Sequence, residues 1–116
     1  MSEFSKYTDK EISEMFAVEV LGWRKDNISV CGHPPCWIDD SNRKHSEIPN
    51  FVADCKTMVE ILATGFIWTA KQERAQWVKV SVVTDYGVAI GIEGTFARAA
   101  CQALILAKRM ENRTCN

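Results

Sequence analysis

The stretch from Trp77 to Ile92 leaves this chain the least freedom. Trp77 to Thr84 is dense in valine, Asp85-Tyr86-Gly87 is a turn sequence, and Val88 to Ile92 is apolar again. β-branched runs on either side of so short a turn predict an antiparallel hairpin. Phe66-Ile67-Trp68 starts a further strand upstream, which extends the hairpin to a three-stranded meander. Such a sheet needs an apolar layer against it. Thr95 follows the meander at once and caps a helix that carries Phe96, Ala99, Ala100, Ala103, Leu104 and Ala107 along one side. Its small side chains let it lie close to a sheet or a partner helix, which suits self-association. Lys108, Arg109 and Arg113 at its end complement the helix dipole.

The first half of the chain supplies two more helices. Thr8-Asp9-Lys10-Glu11 is a capping box, with Tyr7 and Ile12 at the staple positions. Ile12, Met15, Phe16 and Val20 form an apolar stripe, and Gly22 ends the helix near Leu21. Pro49-Asn50 opens a second helix with Asn50 as N-cap. Phe51, Cys55, Met58, Val59 and Leu62 form its expected buried face, and Gly65 stops it. Residues 24–50 are irregular. Ile28-Ser29-Val30 and Cys36-Trp37-Ile38 can be short strands around the turn Cys31-Gly32-His33-Pro34-Pro35, and Asp39 to Ser46 reads as a solvated loop tip. The expected fold class is α+β: a small antiparallel sheet with helices packed on it, an α/β sandwich formed by one domain over residues 1–116.

Charge narrows the partners. With a net charge of -1 there is no global basic field to hold long DNA, RNA or an anionic membrane, so any phosphate site must be a local cluster of Lys and Arg. No apolar run is long enough to span a membrane, and MSEFSKYTDKEI lacks a signal-peptide core. A cytoplasmic protein is expected. Five cysteines, an odd number, argue against a disulfide framework in that compartment, and Cys55 and Cys101 read as buried free thiols.

Few patterns carry chemistry. Cys31, His33, Cys36 and His45 offer two thiolates and two imidazoles, the donor set of a tetrahedral zinc site. Structural zinc sites normally show two tight ligand pairs, and a proline turn accounts for the same residues, so no metal ligand is assigned. Cys36 beside His33 or His45 is the one nucleophile–base pairing, and nothing supplies an oxyanion hole. Asp39-Asp40 reads as a solvated pair, and Glu93 as serving the helix terminus. There is no P-loop and no dinucleotide glycine pattern. Neither a catalytic residue nor a cofactor is expected, and the residues argue for a binding protein. A guanidinium or ammonium for phosphate and a flat ring for a base are present in Trp23, Arg24, Lys25, Arg98, Lys108, Arg109 and Arg113, the candidate ligand-binding set, with Arg109 and Arg24 first.

Three segments carry a family resemblance. They are Glu19-Val20-Leu21-Gly22-Trp23; Cys36-Trp37 with Ile48-Pro49-Asn50-Phe51, Asp54 and Met58-Val59-Glu60-Ile61-Leu62; and Gly94-Thr95-Phe96-Ala97-Arg98-Ala99-Ala100-Cys101-Gln102-Ala103-Leu104. Roughly from Thr8 to Ala107 the chain resembles the phage ABA-sandwich domain family. It departs from that pattern at Val52-Ala53, before the helix-two Asp, and at Phe96-Ala97, after the capping Thr. The resemblance implies a small phage protein acting in the host cytoplasm. Small phage proteins of this size and make-up include anti-defence sponges, Thoeris inhibitors among them. Sponges hold a cyclic ADP-ribose isomer or cyclic oligonucleotide without cleaving it, and assemble as homo-oligomers. The alternatives are a phage protein-binding adaptor or inhibitor using residues 24–50, and a small zinc-binding module on the Cys/His turn.

Overall fold

A computed structural model describes residues 6–26, 36–74 and 76–114. The fold is α+β, with helices packed on an antiparallel sheet and a second small sheet beside them. Helix α1 spans Asp9–Glu19. Strands β1 (Arg24–Asp26), β2 (Cys36–Ile38) and β3 (Lys44–His45) follow. A 3-10 turn at Phe51–Ala53 leads into α2 (Cys55–Gly65). Strands β4 (Ile67–Arg74), β5 (Trp77–Thr84) and β6 (Gly87–Glu93) precede the long helix α3 (Phe96–Thr114).

The capping box of α1 forms as its sequence requires. The Thr8 hydroxyl accepts from the Glu11 amide at 3.2 Å, and the Glu11 carboxylate accepts from the Thr8 amide at 3.0 Å. Two orphan donors are thereby satisfied, a device that contributes about 1 kcal/mol. The helix ends at Val20, and Gly22 takes the left-handed conformation at φ +78 that releases the chain. Its buried face is Ile12, Ser13, Phe16 and Ala17, rotated slightly from the expected stripe, since Met15 and Val20 are only half-buried.

The second helix begins later than its sequence suggests. Asn50 makes no capping hydrogen bond. Asp54 does, accepting from the Thr57 amide at 3.1 Å and the Thr57 hydroxyl at 2.6 Å. The later start turns the helix so that Met58 and Leu62 are buried while Cys55 and Val59 are exposed. Cys55 is therefore not a core thiol. Cys101 is, fully buried, with its pKa raised by that burial to about 12.

Sheet order is β4-β5-β6, antiparallel throughout, with Trp68, Val82 and Ala89 in one inward row and Val80 and Gly91 in the next, beside an exposed Ala70. Helix α3 lies against β5 and β6 and also against α1 and the 3-10 turn. It is buried nearly all round from Ala97 to Ala107, Arg98 and Leu106 being the half-buried exceptions. The alanine face is thus consumed inside the molecule. Ala99 and Ala103 sit on Gly91, where a Cβ would overlap the Ala99 carbonyl oxygen. This corrects the expectation that the face serves self-association: Ala103 is 0% exposed. Gln102, also buried, accepts from the Ile92 amide at 2.7 Å and donates to Glu93 at 3.0 Å, tying helix to strand.

The irregular segment is more ordered than expected. Lys25 pairs with Trp37, and Trp37 with His45, across a small antiparallel sheet of order β1-β2-β3. The solvated tip is a tight turn in which Asp39 accepts from the amides of Ser41 and Arg43. The expected strand Ile28-Ser29-Val30 and the turn holding Cys31 and His33 lie outside the described residues.

Candidate ligand-binding site

A groove of about 640 Å3 lies between the start of α1, the small sheet and the segment leading to the 3-10 turn. Its size falls in the range of small-molecule sites. Lys10, Ser13 and Glu14 line it from α1, Lys25 and Trp37 from the sheet, and Glu47 to Asn50 from the segment beyond. Lys25 and Trp37 face the same space because they are cross-strand partners. The Lys25 ammonium stands 5.8 Å from the centroid of the Trp37 indole, a contact worth roughly 0.5–1 kcal/mol at an exposed site. So weak a contact yields readily to a phosphate.

Ser13 is the unusual member. It is 2% exposed, and its hydroxyl is the buried side-chain atom without a hydrogen-bond partner among the described residues. Leaving a hydroxyl buried and unpaired costs about 1–3 kcal/mol. Its oxygen is closed off from the groove, so that cost is carried by the packing of α1. Charges here are mixed: Lys10 and Lys25 oppose Glu14, Glu47 and Asp9. Such a set suits a ligand that is itself mixed, with an anionic group, hydroxyls and a flat ring.

The structure places the residues expected from sequence in different surroundings. Lys25 lines the groove. Arg24, next to it and exposed, donates to Asn42 Oδ1 at 3.2 Å. Trp23 is buried; it stacks on His45 at 4.6 Å between centroids and meets Phe51 edge-on. Its ring is core, with no face open to a base. Arg98 ion-pairs with Asp9 and with Glu93, and donates to the Tyr7 carbonyl at 2.7 Å. It thereby anchors Asp9 at the rim of the groove. Arg109 forks onto both oxygens of Glu19 at 2.8 and 3.0 Å. Lys108 pairs with Glu111 beside a second hollow of about 580 Å3, bordered by the end of α2 and the β5–β6 turn. Arg113 belongs to the last turns of α3. Arg24 and Arg109 are thus engaged by different partners, Asn42 and Glu19.

Of the Cys/His set, Cys36 and His45 are among the described residues, whereas Cys31 and His33 lie outside them. His45 holds Asp39 at 2.8 Å and stacks on Trp23, while Cys36 ends β2 opposite Asp26. No group of three metal-ligating side chains occurs among the described residues. Glu93, expected at the helix terminus, is buried and held by Gln102 and Arg98.

Trp37, Lys10 and Asn50 line the groove but are not in the ligand-binding set expected from the sequence. One signal was available for Trp37: the short Cys36-Trp37-Ile38 strand needed a partner, and Arg24-Lys25-Asp26 supplies it.

No protein-family model matches the chain, and no curated protein matches it. The fold is similar to that of a phage protein from Bacillus cereus ATCC 14579, known from its crystal structure. The TM-score is 0.68 at 14% identity, over 92% of this chain and 93% of that one. At that identity the likeness is one of fold. Among the described residues, no helix is long and apolar enough to cross a membrane.

Proposed function

We propose that this chain is a non-catalytic phage protein that sequesters a small nucleotide-derived signal of the host, a cyclic ADP-ribose isomer or a cyclic oligonucleotide, in the groove beside α1. One observation carries the reading: a groove that presents the Trp37 indole beside the Lys25 ammonium, with Lys10 also in its lining. The indole serves a base, the two lysines serve phosphate, and Glu14 or Glu47 accept from ribose hydroxyls. The fold shared with a phage protein supports a phage origin and action in the host cytoplasm. Holding a signal needs no nucleophile and no general base, and none is required of these residues.

Calorimetry and thermal shift with cyclic ADP-ribose isomers and cyclic oligonucleotides test this. Binding should raise Tm, and the ligand should be recovered intact after heat denaturation. Trp37→Ala and Lys25→Ala should each weaken binding about tenfold, equal to ~1.4 kcal/mol. A cleaved product would replace sequestration by catalysis. Absence of any shift across the panel would leave the groove without a nucleotide ligand and return the adaptor reading to the front.

A further inference from the structure

The sheet β4-β5-β6 has a second face. Residues inward on β6 alternate with Val88, Ile90 and Ile92, which are 52, 40 and 41% exposed. The register continues this outward face across the sheet: Val88 neighbours Val83 and then Ile67, and Ile90 neighbours Ser81 and then Thr69. Val83 is 46% and Ile67 72% exposed, and Trp77 ends the same side of β5 at 46%. No described helix spends itself here, because α2 and α3 cover the other face. Scattered exposed apolar residues need no explanation, but six on one sheet face form a patch.

We infer that this face is a homodimer interface, on which a second copy packs its own β4-β5-β6 sheet to complete a β-sandwich with helices outside. Area and charge favour a second copy. Burying the patch would remove on the order of 600 Å2 from each subunit, so that two copies reach the ~1,200 Å2 at which specific interfaces begin. Charge fixes the orientation. Lys71 lies at one end of the face, and Asp85 lies in the turn at the other. A twofold axis perpendicular to the strands brings the lysine end of each copy to the Asp85 end of its partner. An axis along the strands would set lysine against lysine. Edge-to-edge growth is opposed on β4 by Lys71, Arg74 and the register shift between Gln72 and Arg74, and on β6 by the Gln102 side chain that occupies the Ile92 amide. The interface leaves the ligand groove free and does not depend on its occupant.

Sedimentation equilibrium on the full chain tests this. Wild type should sediment at twice the chain mass at tens of micromolar. Ile90→Lys and Val88→Glu change exposed side chains, so each should keep its circular dichroism spectrum and sediment as a monomer. Asp85→Lys should raise the dissociation constant about tenfold by facing the lysine end of the partner. A monomeric wild type overturns the inference, as does a folded Ile90→Lys or Val88→Glu that remains dimeric. An unchanged dissociation constant in Asp85→Lys overturns the antiparallel arrangement.

Discussion

Gly91 lies directly on the backbone of Ala99. A Cβ at Gly91 would overlap the Ala99 carbonyl oxygen and stand 2.9 Å from the Ala103 nitrogen. Helix and strand approach this closely because one has no side chain and the other has only methyl groups. Gly91→Ala should therefore destabilise the fold by about 3 kcal/mol, since backbone cannot give way as a flexible side chain can. Ala103→Glu, which buries a charge in the same contact, should be at least as severe. Urea denaturation of both variants checks this; a Gly91→Ala within about 0.5 kcal/mol of wild type would contradict the packing.

Arg109 and Lys25 should separate stability from binding. Arg109 clamps Glu19 on the neighbouring helix, but both partners are partly exposed, at 33 and 29% of their side-chain surface. Arg109→Ala should cost about 1 kcal/mol or less in stability. Because the clamp stands apart from the groove, it should leave ligand affinity unchanged, whereas Lys25→Ala should do the reverse. Paired melting and titration experiments distinguish the two, and a large affinity loss in Arg109→Ala would move the site to the ends of α1 and α3.

The cysteines should differ in reactivity. Cys101 is fully buried, with its pKa pushed up to about 12, so almost no thiolate exists near neutral pH. Cys55 is exposed at the start of α2. Iodoacetamide on the native protein, followed by peptide mass spectrometry, should modify Cys55 readily and Cys101 only after unfolding. Equal labelling of both would show that α3 opens on the timescale of the reaction.

Acid should weaken the fold through three carboxylates. Asp39 is held below its ordinary pKa by the His45 ring and the Arg43 amide, Asp54 by the Thr57 hydroxyl and amide, and Glu11 by the Thr8 amide and hydroxyl. Each binds fewer protons folded than unfolded. Their contribution is complete above the ordinary carboxylate values near ~4 and is lost as pH falls through the lower folded values. Tm should be flat through weakly acidic pH and fall below about 4, and Asp54→Asn should flatten part of that fall. A fall beginning near neutrality would point to a different group.

Much of the fold was legible because its signals are local. The Thr8–Glu11 box, the valine run of β5 and the Thr95 cap each act within a few residues. Helix α2 was misplaced because Pro49-Asn50 carries cap chemistry, whereas the capping carboxylate is Asp54, past a 3-10 turn. Strand β1 escaped notice because Arg24-Lys25-Asp26 has no strand preference and depends on β2 for its pairing. The site was harder still. Arg98 and Arg109 looked available for a phosphate because Asp9 and Glu19, which hold them, stand 89 and 90 residues away. Trp37 meets Lys25 only through the pairing of β1 with β2, and no spacing announces that.

The two arginine clamps also tie the first helix to the last. Asp9 meets Arg98 and Glu19 meets Arg109, so α1 and α3 run parallel, their ends matched across about three turns. Because α3 follows the other described elements in the chain, the helix that closes the core is made after the surfaces it closes. While the chain leaves the ribosome, Ile12, Phe16, Phe51, Met58 and the inward side of the sheet wait without their central partner. The interval before α3 emerges is when this protein is most open to aggregation and proteolysis, and most in need of a chaperone.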